Sequence, residues 1–180
     1  MRVISGSARG IPLKAPDGTK TRPTADRVKE AMFSIIQFDL PGARVLDLFG
    51  GTGQLGIEAL SRGAKYSVFV DQGALACALI RENLKRTGFE NSAKVIQSDY
   101  DLYLKKNSDK FDIILLDPPY AEIFLENSLK IISEIDILQS SGIIVTERPL
   151  GKEILCDFPG LVRSKDYKYG NTLLTIFRKQ

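Results

Sequence analysis

Ala43-Arg44-Val45-Leu46-Asp47-Leu48-Phe49-Gly50-Gly51-Thr52-Gly53-Gln54-Leu55-Gly56 is the stretch on which the fold turns. Ala43–Phe49 is an apolar run of strand length, glycines follow, and a helix is expected over Gly53–Arg62. The same alternation continues downstream. Strands are expected at Tyr66–Val70, Lys94–Gln97, Phe111–Leu116 and Ile143–Thr146. Helices are expected at Ala74–Thr87, Tyr100–Lys106 and around Ile123–Ile135. Strands alternating with helices imply right-handed crossovers and a parallel sheet covered on both faces. The end of the chain differs. Leu161–Lys168 and Thr172–Phe177 flank Tyr169-Gly170-Asn171, a hairpin signal, so the seventh strand closes an antiparallel pair. Upstream, residues 2–4 and 11–14 read as a small hairpin around Ser5–Gly10. Thr24 can cap a helix running to about Phe38, with Val28, Met32 and Ile35 on one face, before Pro41-Gly42 breaks it.

The glycine loop at 50–53 lies where such sheets bind ligands, outside the carboxyl end of the first strand. Glycines there let the backbone turn tightly and approach a ligand, although a tight strand-to-helix turn needs them as well. Asp71 ends the next strand, twenty residues after Gly51, where a carboxylate can accept both hydroxyls of a ribose. Spacing alone does not separate a dinucleotide from S-adenosylmethionine. Asp47 does. An acid four residues before Gly51 would repel a pyrophosphate, whereas S-adenosylmethionine carries a cationic amino group and a sulfonium. Asp99, just past the third strand, is placed to meet the adenine amino group or to cap the following helix, or both. Phe49, Gly50, Gly51, Gly53, Tyr100 and Asp117 complete the expected cofactor set, and no metal is expected.

The fourth strand runs into Asp117-Pro118-Pro119-Tyr120. Pro-Pro stops a strand anywhere. The whole tetrapeptide, beside a cofactor loop, points further. The lone pair of a base amino group is delocalised into its ring and must be recovered before it can attack a methyl group. The Asp117 carboxylate and the Pro118 carbonyl are two acceptors for its two hydrogens, Pro119 fixes the backbone, and Tyr120 can stack on the base. A sulfonium is an activated leaving group, so positioning and electrostatics suffice. The base must be unpaired or flipped out to reach such a pocket.

Composition agrees. The 180 residues contain no histidine, which removes Ser-His-Asp and Cys-His catalysis. Cys77 and Cys156 are too few for a typical zinc site, and Cys77 reads as a small buried hydrophobe. No apolar run reaches the roughly 18 residues of a membrane span, and the start lacks a secretory pattern, so a cytoplasmic location is expected. Net charge is +3 but uneven: residues 1–29 carry +5, 30–159 carry −6 and 160–180 carry +4. Basic ends on an acidic middle suit a polyanionic partner at the ends, or are simply solvated charge.

These features together resemble a class I, Rossmann-like amino-methyltransferase. Arg2-Val3-Ile4-Ser5-Gly6, Arg9-Gly10, Thr21-Arg22-Pro23-Thr24 and Asp26-Arg27-Val28-Lys29-Glu30-Ala31-Met32-Phe33 resemble the RsmD family. So do Leu46–Phe49, Gly56–Ala64 and Tyr169-Gly170-Asn171-Thr172. Gly50 and Thr52 stand where that family more often has Ala and Ser, and Asp71 where it more often has Glu. The resemblance implies transfer of a methyl group from S-adenosylmethionine to N2 of one guanine in bacterial 16S ribosomal RNA, free or in an assembling small-subunit particle. It also implies a monomer built as a methyltransferase domain, residues 41–180, behind an RNA-contacting extension, residues 1–40. Arg2, Arg9, Lys14, Arg22, Pro23, Thr24, Arg27 and Tyr120 are then expected at the RNA or its target base. A protein-glutamine methyltransferase usually begins its motif with Asn and carries a helical N-terminal domain. A DNA amino-methyltransferase usually needs a larger recognition domain. A non-catalytic RNA-binding protein has no use for Asp47, Asp71 and Asp117 around one pocket, since acids repel phosphate.

Overall fold

Val45, Leu46 and Asp47 point alternately to the two faces of a sheet, and both faces are apolar, so this strand must be covered on each side. In the computed structural model, which describes residues 1–16, 23–119, 122–152, 154 and 157–180, it is β1, Arg44–Asp47. It leads to α2, Gln54–Ser61; α1, Pro23–Ile35, precedes it. Then come β2 (Tyr66–Asp71), α3 (Ala74–Thr87), a 3₁₀ turn at Glu90–Ser92, β3 (Ala93–Gln97), α4 (Tyr100–Lys106) and β4 (Phe111–Leu116). α5 (Glu122–Glu134), β5 (Leu138–Pro149), β6 (Leu161–Tyr169) and β7 (Thr172–Lys179) complete the chain.

One seven-stranded sheet has the order β3-β2-β1-β4-β5-β7-β6. The first five strands are parallel, and β7 inserts antiparallel between β5 and β6. Val45, Ile113, Ile143 and Ile176 face one core with Val28 and Met32 of α1, Ile57 of α2 and Ile80 of α3. Leu46, Ile114, Ile144 and Phe177 face the other, with Leu104 of α4 and Leu125 and Leu129 of α5. The chain leaves β1 toward β2 and β3, then returns to lay β4 on the other side of β1. The sheet order reverses between β1 and β4, and the carboxyl ends of strands at such a switch point are where sheets of this kind bind ligands. Among the described residues no helix is long and apolar enough to cross a membrane.

Three elements depart from expectation. α1 spans Pro23–Ile35, so Thr24 lies within the helix rather than capping it, and the helix stops short of Phe38. The N-terminal hairpin is antiparallel, with Val3 N–H donating to Ile11 O and Leu13 N–H to Met1 O. Its ladder, however, shrinks to a single bridge, Arg2 to Pro12, rather than two strands over 2–4 and 11–14. Its backbone groups are spent on α2 instead. Ile4 and Ser5 N–H donate to the Glu58 carboxylate at 2.8 and 2.9 Å, and Ala8 N–H donates to Ser61 Oγ. β5 is longer than Ile143–Thr146. It starts at Leu138, crosses an irregular pairing with β4, and ends at Pro149 opposite Thr172. Gln139, Ser140, Ser141 and Gly142 hide its first half from any hydrophobic pattern.

Candidate active site

The loop after β1 is built on glycines with positive φ, 54° at Gly51 and 79° at Gly53, where Gly53 also begins α2. Gly56, one turn on, lies so close to β2 that a Cβ would stand 2.3 Å from the Phe69 ring. α2 is thereby drawn against the sheet and the loop sits directly above it. Gly50 N–H donates to Val70 O, the last step before Asp71.

Of the four carboxylates expected at the cofactor, Asp47, Asp71 and Asp99 stand at or just past the ends of β1, β2 and β3. Asp47 is 1% exposed. Its Oδ2 accepts the Gly56 N–H at 3.0 Å, and its Oδ1 is buried without a hydrogen-bond partner among the described residues. Burial pushes its carboxyl from an ordinary 3.8 up to about 7; Asp117 and Asp71 add repulsion, and only the Gly56 N–H opposes. An orphaned buried acceptor of this kind fits a cationic ligand group and would repel a phosphate. Asp71 supports the loop as well as facing it, accepting Gly51 N–H at 2.9 Å and Gly73 N–H at 2.8 Å, one per oxygen. Each oxygen keeps a lone pair for a hydroxyl. Asp99 caps α4 through the Asp101 N–H at 2.9 Å. Tyr100 packs between Phe49 and Phe124, ring centroids 5.4 and 5.7 Å apart, so Phe49 and Tyr100 form the apolar wall between β1 and α5.

Asp117 follows β4 directly. Asp47 pairs with Leu115, and Asp117 lies two residues further along on the same face of the sheet. The cofactor loop and the Asp-Pro-Pro sequence are therefore neighbours across the switch point. Asp117 and Pro118 are half-buried and Pro119 is exposed. Among the described residues Asp117 makes no hydrogen bond or ion pair, and burial holds its carboxyl up at about 6. Tyr120 and Arg22 lie outside the described residues, and the placement of Pro23 and Thr24 is described for the backbone alone, at the start of α1.

The cations divide. Exposed Arg2, Arg9 and Arg27 converge on one cleft of about 340 Å³, shared with Asp26 and Glu30. Lys14 instead pairs with Glu82 at 2.6 Å, and its backbone is held by buried Asn83. Asn83 also donates to Thr52 O in the cofactor loop. Glu58, Asn83 and Glu147 had not been singled out from the sequence. Glu58 and Asn83 are polar residues on otherwise apolar helix faces. Glu147 follows Thr146 just as Asp117 follows Leu116, a position rule that would have found it.

This sheet order, with a glycine loop after β1 and Asp-Pro-Pro after β4, defines a class I methyltransferase. More narrowly, residues 1–178 match the family described as Conserved hypothetical protein 95, and the chain belongs to it; this is the RsmD family that the sequence resembles. YlbH of Bacillus subtilis (strain 168) is 42% identical over 183 residues, covering 100% of both chains. Ribosomal RNA small subunit methyltransferase D of Escherichia coli (strain K12) is 31% identical over 82% of this chain and 74% of its own. The solved structure of yhhF from Escherichia coli superposes with a TM-score of 0.89 at 27% identity, covering 100% of this chain and 98% of that one.

Proposed function

We propose that this chain transfers a methyl group from S-adenosylmethionine to the exocyclic N2 amino group of a guanine in 16S ribosomal RNA. The observation that carries the reading is the adjacency of an unpartnered Asp117 to a glycine loop whose Asp47 holds an orphaned, buried oxygen. The names of the Escherichia coli and Haemophilus influenzae relatives, small subunit methyltransferase D, support the choice of RNA.

Asp47 would hold the cationic end of the cofactor, Asp71 the ribose and Asp99 the adenine amino group, with Phe49 and Tyr100 as the apolar wall. When bound, S-adenosylmethionine supplies a methyl group on an activated sulfonium. Asp117 and the Pro118 carbonyl accept the two amino hydrogens and turn the nitrogen lone pair toward that methyl. Burial and the fixed proline backbone make this electrostatic partner preorganised, which is where the rate gain lies. The amino group becomes more acidic as it is methylated, and Asp117, poised near 6, is suited to hold its proton. Tyr120 would stack on the base. Residues 1–40 would act as the RNA-contacting part, through Arg2, Arg9 and Arg27 at their shared cleft, and Arg22, Pro23 and Thr24 would serve the target base.

The test is a comparison of 16S ribosomal RNA from cells with and without the gene, digested and read by mass spectrometry. The reading expects loss of one N2-methylguanine. An unchanged nucleoside profile, or loss of a different methylated base, overturns it.

A further inference from the structure

β4 and β5 run parallel with Leu116 opposite Thr146, so the next residues, Asp117 and Glu147, stand side by side at the carboxyl edge. Neighbouring strands are about 4.8 Å apart. Alternation puts both side chains on one face, because Leu115 and Val145, two residues back, share the core beneath α1. The acceptor site at the end of β4 therefore has a second carboxylate beside it. Among the described residues Glu147 makes no hydrogen bond or ion pair, although it is half-buried. Burial and the nearby Asp117 raise its carboxyl to about 7. Arg148 does not neutralise it. That side chain alternates to the opposite face, where it bonds Thr175 Oγ1 at 3.3 Å and pairs with Asp166. A half-buried carboxylate left unpaired by its own protein is costly unless a ligand donor meets it.

Guanine offers that donor. Its ring N1–H lies next to its amino group, so the edge presents donors side by side. Adenine and cytosine have a bare ring nitrogen, an acceptor, in the corresponding place. A carboxylate one strand over from the amino-group acceptors attracts the first and repels the other two. We infer that Glu147 selects guanine at the target pocket by accepting its N1–H. The inference rests on the amino-methylation reading above and adds to it the residue that identifies the base.

The probe is RNA carrying 2-aminopurine in place of the target guanine. This base keeps the amino group but has a bare N1. Wild-type enzyme should favour guanine by about 10²-fold in kcat/KM, the upper end of the cost of leaving a buried polar partner unpaired. In Glu147→Gln the amide can turn its NH₂ toward N1, and the ratio should fall to within about tenfold of unity. Glu147→Ala should lower it too. Cofactor affinity, measured on the same samples, reports folding. Equal wild-type rates on the two bases overturn the inference without any variant, and so does a ratio that both variants leave unchanged. If guanine is methylated in either case, only the role of Glu147 is lost. If the wild-type enzyme methylates neither base, the amino-methylation reading falls and takes this inference with it.

Discussion

The Asp47 carboxyl sits near 7 because burial disfavours its charge and two further acids stand close by. A cation placed at Oδ1 reverses that balance, so cofactor binding must expel the proton wherever it is present. Affinity for S-adenosylmethionine should therefore be constant above about pH 7 and fall below it, approaching tenfold per pH unit. Asp47→Asn should bind weakly and lose this dependence. Titration calorimetry across pH checks both, and a pH-independent wild-type affinity contradicts the assignment. The stability effect has the opposite sign. Asp47, Asp117 and Glu147 are all raised in the folded protein, to about 7, 6 and 7. Stability from these groups is fully present below their ordinary carboxylate values and is lost as pH rises through 6–7. The Asp71 oxygens already hold two loop amides. Asp71→Ala should weaken cofactor binding by about 1–3 kcal/mol, the range for polar partners left unpaired. Unchanged affinity would remove it from the site.

Among the elements, the join between the N-terminal segment and α2 has the most at stake. Glu58, fully buried, accepts from Ile4 N–H, Ser5 N–H and Arg62 Nε, and it lies 3.7 Å from the Lys29 ammonium, itself only 3% exposed. Lys29 also donates to Arg2 O, so one carboxylate ties α1, α2 and the hairpin together. Its removal leaves a buried cation uncompensated. Glu58→Ala should cost about 3–5 kcal/mol in denaturant unfolding, and a loss below about 1 kcal/mol would show that the segment docks independently of it. This join was not readable in the sequence. Glu58 sits inside Leu55-Gly56-Ile57-Glu58-Ala59-Leu60 like any helix-surface acid, and only the tertiary approach of residues 4 and 5 buries it. The parallel strands were readable because both faces are apolar and each run is bounded by turn residues. The first half of β5 was not, because Gln139–Gly142 form the irregular stretch between the Leu138 and Ile143 pairings with β4 and carry no hydrophobic alternation.

For the whole molecule, the charge asymmetry has a structural counterpart at the N-terminal end. Arg2, Arg9 and Arg27 share a cleft, whereas Lys14 is committed to Glu82. Neutralising the three arginines together should weaken RNA binding and flatten its salt dependence by roughly one contact per effective charge, with cofactor affinity unmoved. Neutralising Lys14 alone should do little. An unchanged salt slope in the triple variant would make these arginines ordinary surface charge. The cleft itself could not be seen in the sequence, since Arg27 joins Arg2 and Arg9 only when α1 packs beside the hairpin. The central site was far more readable, because two short motifs each mark a strand end and the switch-point rule brings those ends together. The claim that rests on that adjacency is that Asp117 is the electrostatic partner of the reacting amino group. Single-turnover transfer of labelled methyl to 16S ribosomal RNA at saturating S-adenosylmethionine tests it most directly. Asp117→Ala should bind cofactor nearly as wild type yet transfer about 10²-fold more slowly or worse, with Asp117→Asn between the two. Transfer by Asp117→Ala at the wild-type rate would contradict the account and leave Asp-Pro-Pro-Tyr as no more than a rigid turn.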